Sequence, residues 1–290
     1  MTLKFVSEVV GGRLLNENGI EVLRIDGTGQ ITGALFGAMG QCRLAKSGAN
    51  LVLSPFQGSK ITINGTSYTV PAAGVSLAPT GTAANTTYLI YALQTAGVLS
   101  LEYSATTHAT DTSTTTGNLG QEIKSGDPTR TLVGQARTAS AGAWVDTPQQ
   151  RFVLSWFNRQ TIACRAAFTA NRNYPVGSYG EVNSEIKNEF LLWGGQTAIF
   201  AASGGVANAT ASYMNASIGV DSVSTPIDCY ATGQVPANGQ FPIGQSAPVE
   251  GLAEGYHYAT LLATNSAGTA VFLGSATPGA RCTLSTTIQG

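Results

Sequence analysis

Acidic side chains are the first residues of this 290-residue chain that could carry out chemistry. Cleavage of a glycosidic bond needs two carboxylates, roughly 5 to 9.5 Å apart, that act as acid and as base or nucleophile. The candidates are Glu102, Asp111, Glu122, Asp127, Asp146, Glu181, Glu185, Glu189, Asp221 and Asp228. Their spacing singles out no pair, and acidic residues in β proteins commonly hydrate turns and strand edges. We therefore predict no catalytic residues, and a glycan depolymerase is the least favoured alternative.

The histidine, cysteine and glycine residues likewise form no pattern typical of a catalytic, metal-binding or phosphate-binding site. The histidines, His108 and His257, allow few Ser-His-Asp arrangements, and the chain has no G-x-S-x-G sequence. The cysteines are Cys42, Cys164, Cys229 and Cys282. They are far apart with no C-x-x-C pair, which predicts buried free thiols and no zinc site. The pairs Gly194–Gly195 and Gly204–Gly205 lack the context of a phosphate-binding loop and predict turns. We expect no cofactor and no metal.

Composition narrows the class of protein further. The chain has 15 Lys and Arg against 16 Asp and Glu, a net charge of -1 and only 11% charged residues, which argues against a nucleic-acid partner. With 35 Gly but 43% hydrophobic residues, it is too apolar to be disordered. No apolar run reaches the roughly 18 to 20 residues of a membrane-spanning helix, and the first 15 residues lack a signal-peptide core. We expect a soluble, unprocessed chain without membrane insertion.

Short apolar runs bounded by Gly, Pro and Asn predict an all-β fold. Residues 61–63 followed by Asn64-Gly65 indicate a hairpin. Residues 88–93 are apolar on both strand faces, which favours a strand buried between two layers. Residues 108–130 are polar and rich in Thr and Gly, and predict a long exposed connection. The segment Glu181–Glu189 fits a short helix and a strand about equally well.

Three parts follow from these elements. Residues 1–41 have too little core to fold alone, so they are either a thin β stalk that is stable when several copies associate or a flexible leader. Residues 42–159 predict a middle β domain. Residues 160–290 predict a compact all-β domain, with the boundary where the strand at Trp156 stops and a new one begins.

Particular stretches resemble known proteins. The blocks SGDPTRTLVGQART and RFVLSWFNR resemble domains of structural proteins on tailed-bacteriophage virions. The stretches WGGQTAIFAASGG and GYHYATLLATNSAGTAVFLG resemble the jelly-roll knobs of the tumour-necrosis-factor and complement-C1q type. The leader NENGIEVLRIDGTGQITG is similar to stalk repeats that precede phage fibre heads.

These resemblances imply an all-β, homotrimeric fibre or spike on the virion surface. A thin N-terminal stalk would attach to other virion proteins, a middle β-sandwich or barrel-like domain would follow, and a C-terminal jelly-roll-like β-sandwich would form the knob. The knob would contact a glycan or protein of the host surface. Related domains occur on tail fibres, head fibres and capsid decorations, so a capsid decoration or cement protein is the alternative.

Loops of the knob are the expected contact regions, because exposed connections commonly carry recognition. We single out 171–179, 203–209 and 234–251, which are rich in Gly, Asn and Pro. The candidate contact residues are Asn171, Asn173, Tyr174, Asn208, Asn238 and Trp144. Trp144 is included because it follows small residues in a loop, where an exposed ring needs a partner. Arg130, Arg137 and Arg151 predict ion pairs, within or between subunits, more than a strip that binds an anionic ligand.

Overall fold

The computed structural model describes residues 4–8, 11–15, 21–25, 31–32, 40–113, 119–277 and 279–290. In these residues the regular structure is β-strand, apart from a single 3-10 turn at Ser184–Ile186. The all-β prediction is confirmed. The described residues contain no helix with the length and apolar character needed to span a membrane. The segment Glu181–Glu189 follows neither interpretation throughout, because Glu181 ends one strand, Ser184–Ile186 form the 3-10 turn and Asn188 begins another strand.

The chain divides into two compact units. The first comprises Met1–Pro79, Tyr88–Gly134 and Ser155–Asn158, and the second comprises Thr80–Thr87, Gln135–Leu154 and Arg159–Gly290. The chain therefore enters the second unit three times. The sequence-based division into 1–41, 42–159 and 160–290 treats each part as continuous and stays a prediction.

In its described residues, the N-terminal segment has four strands that pair antiparallel in sequence order. They are β1 (Lys4–Glu8), β2 (Gly11–Leu15), β3 (Glu21–Ile25) and β4 (Ile31–Thr32). Their pairing is between neighbours in the chain, with Lys4 opposite Leu15 and Gly12 opposite Ile25. The rest of the predicted stalk, residues 1–3, 9–10, 16–20, 26–30 and 33–39, lies outside the described residues.

Three further sheets involve the strands that follow. These strands are β5 (Cys42–Ser47), β6 (Asn50–Pro55), β7 (Lys60–Ile63), β8 (Thr66–Thr69), β9 (Val75–Leu77), β10 (Thr87–Thr95), β11 (Val98–Ser104), β12 (His108–Thr110), β13 (Glu122–Lys124), β14 (Asp127–Ser140), β15 (Ala143–Trp144), β16 (Gln150–Arg151) and β17 (Val153–Ser155). Their sheet orders are β5-β6-β9, β7-β8 and β11-β10-β14-β13-β12, with β15 and β17 also paired to β14. β16 belongs instead to a sheet of the second unit. Ile90 and Tyr91, adjacent in β10, are both fully buried, as the apolar character of both faces predicted.

The predicted hairpin is confirmed in its details. Ile63 lies opposite Thr66, and the turn residues Asn64 and Gly65 have φ angles of 47° and 73°. Positive φ at both central residues is the requirement of a type I′ turn, which Asn-Gly satisfies at little steric cost.

In its described residues, 108–113 and 119–130, the predicted exposed connection is instead partly strand, and 114–118 lie outside the described residues. Ile123 is buried at the centre of β13, whose neighbours are β12 and β14. On either side of Ile123, Glu122 contacts His108 and the Lys124 ammonium lies 2.9 Å from Glu102. One apolar residue among polar ones gives a weak period-2 signal, so the sequence did not reveal this strand.

The second unit contains two six-stranded sheets. Their remaining strands are β18 (Thr161–Ala167), β19 (Arg172–Tyr174), β20 (Gly177–Glu181), β21 (Asn188–Leu192), β22 (Ala198–Asn208), β23 (Ser212–Val220), β24 (Pro226–Val235), β25 (Gly239–Val249), β26 (Gly255–Asn265), β27 (Ala270–Phe272) and β28 (Thr283–Gln289). The β26 sheet has the order β16-β21-β26-β23-β24, with β20 also paired to β26. The β22 sheet has the order β18-β28-β22-β27-β19, with β25 also paired to β22.

Aromatic residues from the two sheets meet in the core of this unit. Phe190 in β21 and Phe200 in β22 are fully buried, with ring centroids 5.8 Å apart. Burial of each such side chain contributes about 1.5 to 3 kcal/mol. The inward residues of β23 and β26, such as Met214 and Leu261, are buried beside them.

Gly204 and Gly205 do not form the predicted turn, because they lie in the middle of β22. Gly204 has a φ of +150°, and a Cβ there would lie 2.6 Å from the Cα of Cys282. The glycine permits close approach of a neighbouring segment of chain. Gly195, with a φ of +74°, does lie in a turn, as predicted.

Adjacent residues of β23 test the assignment of its two faces. Met214 is 1% exposed and Tyr213 is 48% exposed. Met214→Ala should lower the free energy of unfolding by about 2 to 5 kcal/mol through lost burial and a residual cavity. Tyr213→Ala should change it by less than about 1 kcal/mol. Urea unfolding followed by circular dichroism, at one protein concentration, measures both, and equal losses would contradict the assignment.

Candidate functional site

The acidic side chains considered for catalysis are largely held by basic or hydroxyl partners. Glu102 lies 2.9 Å from the Lys124 ammonium and 3.4 Å from Arg130 Nε, and Asp127 lies 3.0 Å from Arg130 Nη1. In the second unit, Tyr256 donates a 2.6 Å hydrogen bond to Glu189. Such contacts satisfy the carboxylates as structural groups.

The predicted ion pairs of two arginines are present within the chain. Arg130 contacts Glu102 and Asp127, and Arg151 Nη1 lies 3.7 Å from Asp146. Within the chain, the guanidinium of Arg137 instead lies 4.0 Å from the centroid of the Tyr256 ring, and an ion pair between subunits stays a prediction. A planar guanidinium stacks favourably on an aromatic face, which sequence spacing does not reveal.

His257 is occupied at both ring nitrogens. Its Nδ1 lies 2.6 Å from Asp221 Oδ2 and its Nε2 lies 2.7 Å from the carbonyl oxygen of Ala253. The ring is 6% exposed. A general base of a hydrolytic triad needs one nitrogen free to accept a proton from the nucleophile. His257 therefore serves to join the 253 region to the loop at Asp221.

The four thiols are buried and unpaired, as predicted. Burial raises the pKa of Cys42 to about 12 and that of Cys164 to about 11. Desolvation disfavours the thiolate, which is the nucleophilic and metal-binding form. Among the described residues, no group of three or more His, Cys, Asp and Glu side chains is arranged to hold a metal ion.

One end of the second unit brings together four connections, which we call the crossover end. They are 175–176 between β19 and β20, 209–211 between β22 and β23, 236–238 between β24 and β25, and 266–269 between β26 and β27. Each passes from one sheet to the other. Asn208 lies opposite Gly239, and Ser212 lies opposite Val235, so the strands that flank these turns end together.

Two buried amides hold this end in place. The Asn208 side-chain amide donates to Ser212 Oγ at 3.0 Å, Asn265 Oδ1 at 3.4 Å and the carbonyl of Ala267 at 2.9 Å. Its oxygen accepts from the backbone of Thr210 at 3.0 Å. Asn265 in turn donates to the carbonyl of Gly268 at 3.0 Å. Both asparagines are 2% exposed. The turns are therefore fixed by satisfied buried hydrogen bonds.

A cleft of about 640 Å³ opens at the crossover end. It is lined by Ala211, Ser212, Tyr213, Gln234, Val235, Pro236, Ala237 and Ser266. Ser266 Oγ accepts a 2.7 Å hydrogen bond from the backbone of Tyr213, which fixes that residue. The cleft offers an aromatic ring, an amide and hydroxyl groups, and its lining carries no charged side chain. Its volume lies within the range of small-molecule sites, about 300 to 1,000 Å³.

Three tyrosines extend this surface along the outward face of the β26 sheet. Tyr213 and Tyr230 are each 48% exposed, and the rings of Tyr179 and Tyr230 are 6.2 Å apart. Burial raises the pKa of Tyr179, and the phenols of Tyr230 and Tyr213 raise it further. The three rings therefore form one patch beside the cleft, which we call the tyrosine patch.

The six predicted contact residues separate into two groups. Asn171, Asn173 and Asn238 are exposed, and Asn238 lies in a turn of the crossover end. Trp144, Tyr174 and Asn208 are buried, with exposed fractions of 3%, 8% and 2%, so their predicted exposure is wrong. Trp144 lies in the short strand β15, the ring of Tyr174 packs edge-on against Phe272, and Asn208 holds the turns.

The predicted contact loops are shorter in the structure. Residues 203–208 lie in β22, and 239–249 form β25, so only 236–238 of the longest predicted loop is a turn. The cleft includes Gln234 from that predicted loop, whereas Tyr213 and Ser266 were not among the predicted contact residues. The signal for Tyr213 was the alternation in SYMNASIGV, where Tyr, Asn and Ser occupy the face opposite Met, Ala and Ile.

Comparisons with known proteins give only distant likenesses. No protein-family model and no curated protein matches the chain. A structure of the infectious bursal disease virus Gx strain is 14% identical over 85% of this chain and 72% of that chain, with a TM-score of 0.24. An exo-beta-1,3-galactanase from Phanerochaete chrysosporium, with beta-1,3-galactotriose, is 11% identical over 96% of this chain and 62% of that one, with a TM-score of 0.19. Scores this low carry no argument about fold or function.

The buried amide network generates a prediction about the crossover end. Asn208→Asp turns a donor into a carboxylate that faces the carbonyl oxygens of Asn265 and Ala267, and should lower the free energy of unfolding by about 3 kcal/mol. Asn238→Asp is the matched control, since Asn238 is exposed and Asp tolerates its φ of 58°. Urea unfolding and hydrogen exchange of 209–211 and 266–269 measure the effect. Equal stability of the two variants would contradict the network.

Proposed function

We propose that the protein is a structural, non-enzymatic component of a bacteriophage virion. It acts as a homotrimeric surface fibre whose C-terminal knob contacts the host surface, and its N-terminal segment attaches to other virion proteins. The virion surface is its proposed location.

The observation that carries this proposal is the strand order of the second unit. Four strands of the β22 sheet follow β18-β28-β22-β25, and four of the β26 sheet follow β21-β26-β23-β24. Numbered among themselves in chain order, these eight strands give the orders 1-8-3-6 and 2-7-4-5. This alternation of chain between two sheets is the pattern of a jelly roll. It supports the resemblance of the C-terminal part to trimeric knobs.

The outward face of the β22 sheet supports association between copies. Residues on this face include Ala163, Arg165, Ile199, Ala201, Ser203, Thr283, Ser285 and Thr287. In β18, β22, β25 and β28, which the structure describes in full, Arg165 is the only outward-facing charged side chain. Small side chains allow two such faces to approach closely, and interface centres are depleted in charged residues. This face fits a second copy of the chain better than it fits a charged partner.

A non-enzymatic role is supported by the cleft. Hydrolysis of a glycan requires a pair of carboxylates at the cleaved bond. None of the eight residues that line the cleft is acidic. The geometry therefore favours binding without cleavage.

The solution mass tests the trimer. Light scattering should give three times 29.8 kDa, or 89.4 kDa, for the full chain. Thr287→Arg places a second charge on the outward face of the β22 sheet, opposite Ile199, and should shift the mass towards 29.8 kDa. Thr232→Arg, on the exposed face of the β26 sheet, should leave the trimer intact. A monomeric mass for the unaltered chain would contradict the trimer and favour the alternative function, a capsid decoration protein.

Host adhesion is tested separately with the fluorescently labelled full chain on a panel of bacterial strains. Adhesion predicts saturable binding to at least one strain, competed by unlabelled chain. It also predicts that surface polysaccharides incubated with the chain release no reducing ends. Absence of binding to every strain would overturn adhesion, and release of reducing ends would overturn the non-enzymatic assignment.

A further inference from the structure

We propose that the cleft at the crossover end is a binding site for a neutral saccharide, with Tyr213 as the stacking platform. The inference rests on the proposed host contact and names the chemical class of the ligand. Its basis is the combination of one exposed ring, uncharged polar groups and a fixed framework at one place.

The ring of Tyr213 provides the apolar part of such a site. An aromatic face beside polar groups suits a sugar ring, because one side of a pyranose presents C–H bonds and its rim presents hydroxyls. Tyr213 is 48% exposed, so its face is open to a ligand. Its backbone is held by two hydrogen bonds with Ser266, at 2.7 and 3.1 Å.

The polar groups of the cleft match sugar hydroxyls. Gln234 lies directly opposite Tyr213 across the β23–β24 pair, so its amide can donate and accept beside the ring. The hydroxyls of Ser212 and Ser266 add further donors and acceptors. A saccharide hydroxyl needs both kinds of partner, and amide and hydroxyl groups provide both.

Absence of charge selects among saccharides. No Lys, Arg, Asp or Glu is among the residues that line the cleft. An acidic sugar, such as a uronic or sialic acid, would lose hydration of its carboxylate without gaining a cationic partner there. Neutral hexoses and N-acetylhexosamines do not incur this cost.

The tyrosine patch extends the binding site along the sheet. Tyr213 lies opposite Gln234 and Tyr230 lies opposite Ser217, four residues further along β23. At about 3.4 Å per residue, this places the two positions about 14 Å apart along the strand. A chain of several sugar units can thus contact the cleft and then the rings of Tyr230 and Tyr179, which favours an oligosaccharide over a monosaccharide.

Buried hydrogen bonds and strand pairing hold the framework of the cleft. The two turns that carry the lining residues 211 and 236–237 follow strands whose ends are fixed by Asn208 and by the pairing of Ser212 with Val235. Preorganisation reduces the entropy lost on binding, which matters for ligands that gain little from each contact.

An array of defined oligosaccharides tests the proposal, with neutral hexose and N-acetylhexosamine oligomers beside uronic-acid, sialylated and phosphorylated ones. The full chain should bind neutral members, and titration calorimetry with the best of them gives its Kd. Tyr213→Ala should weaken binding at least tenfold, whereas Tyr213→Phe, which keeps the ring, should weaken it less than threefold. Gln234→Ala should also weaken it. Val223→Ala is the matched control, because Val223 is 46% exposed in the connection after the far end of β23, and it should bind as the unaltered chain does.

Three outcomes of the array and the calorimetry would overturn the proposal. Binding of acidic members alone, neutral binding that Tyr213→Ala leaves unchanged, or no binding to any neutral member would do so. Circular dichroism of each variant is the control for folding, and only folded variants are compared in binding. Adhesion to cells that survives Tyr213→Ala would overturn this site while the proposed function stands. Neutral glycan binding by a chain that adheres to no strain would leave this site standing while adhesion fails.

Discussion

The candidate site depends on one constraint, which is that four chain crossings at one end of the second unit must leave no buried polar group without a partner. A strand that leaves one sheet for another gives up its ladder hydrogen bonds, and unpaired buried backbone groups are costly. The Asn208 amide donates to the carbonyl of Ala267 and to Asn265 Oδ1, and the Asn265 amide donates to the carbonyl of Gly268. These bonds give the polar groups buried at this end their partners. Because these amides lie inside, the residues after them, Ala211 to Tyr213 and Ser266, are free to line a cleft.

Local signals in the sequence predicted local structure well. Asn64-Gly65 determined a hairpin because its backbone angles are set by two residues alone. The isolated cysteines were expected to be buried, since a lone thiol behaves as a small apolar group, and they are. Predictions that depended on distant neighbours were less successful. Gly204 resembled a turn residue, but its purpose is the approach of Cys282, which is 78 positions away in the chain. Trp144 resembled an exposed loop residue because the sequence did not show which segments cover it.

The candidate site depends both on local signals and on distant neighbours in the chain. The turn at 236–238 lies inside the predicted loop 234–251, yet 239–249 and 203–208, which were predicted as loop from their Gly, Asn and Pro, lie in strands. Tyr213 is functional in the proposed site only through its register with Gln234, and register is a property of two strands together. A shift by one residue would turn Tyr213 inward and expose Met214. The alternation within β23 therefore limits the arrangement to two faces, and the pairing decides which one meets the cleft.

The low charge of the chain has opposite consequences on its two outward sheet faces in the second unit. On the β22 sheet, the outward side chains are small and carry mainly hydroxyl and methyl groups. Water solvates this surface readily, and a matching protein surface can displace that water without desolvating charges. On the β26 sheet, absence of charge is confined to the lining of the cleft, where the exposed ring of Tyr213 lies beside an amide and hydroxyls. Interactions at either face would depend on shape and hydrogen bonding more than on Coulomb attraction. Their affinity would then vary little with salt concentration, in contrast to surfaces that rely on charge pairs.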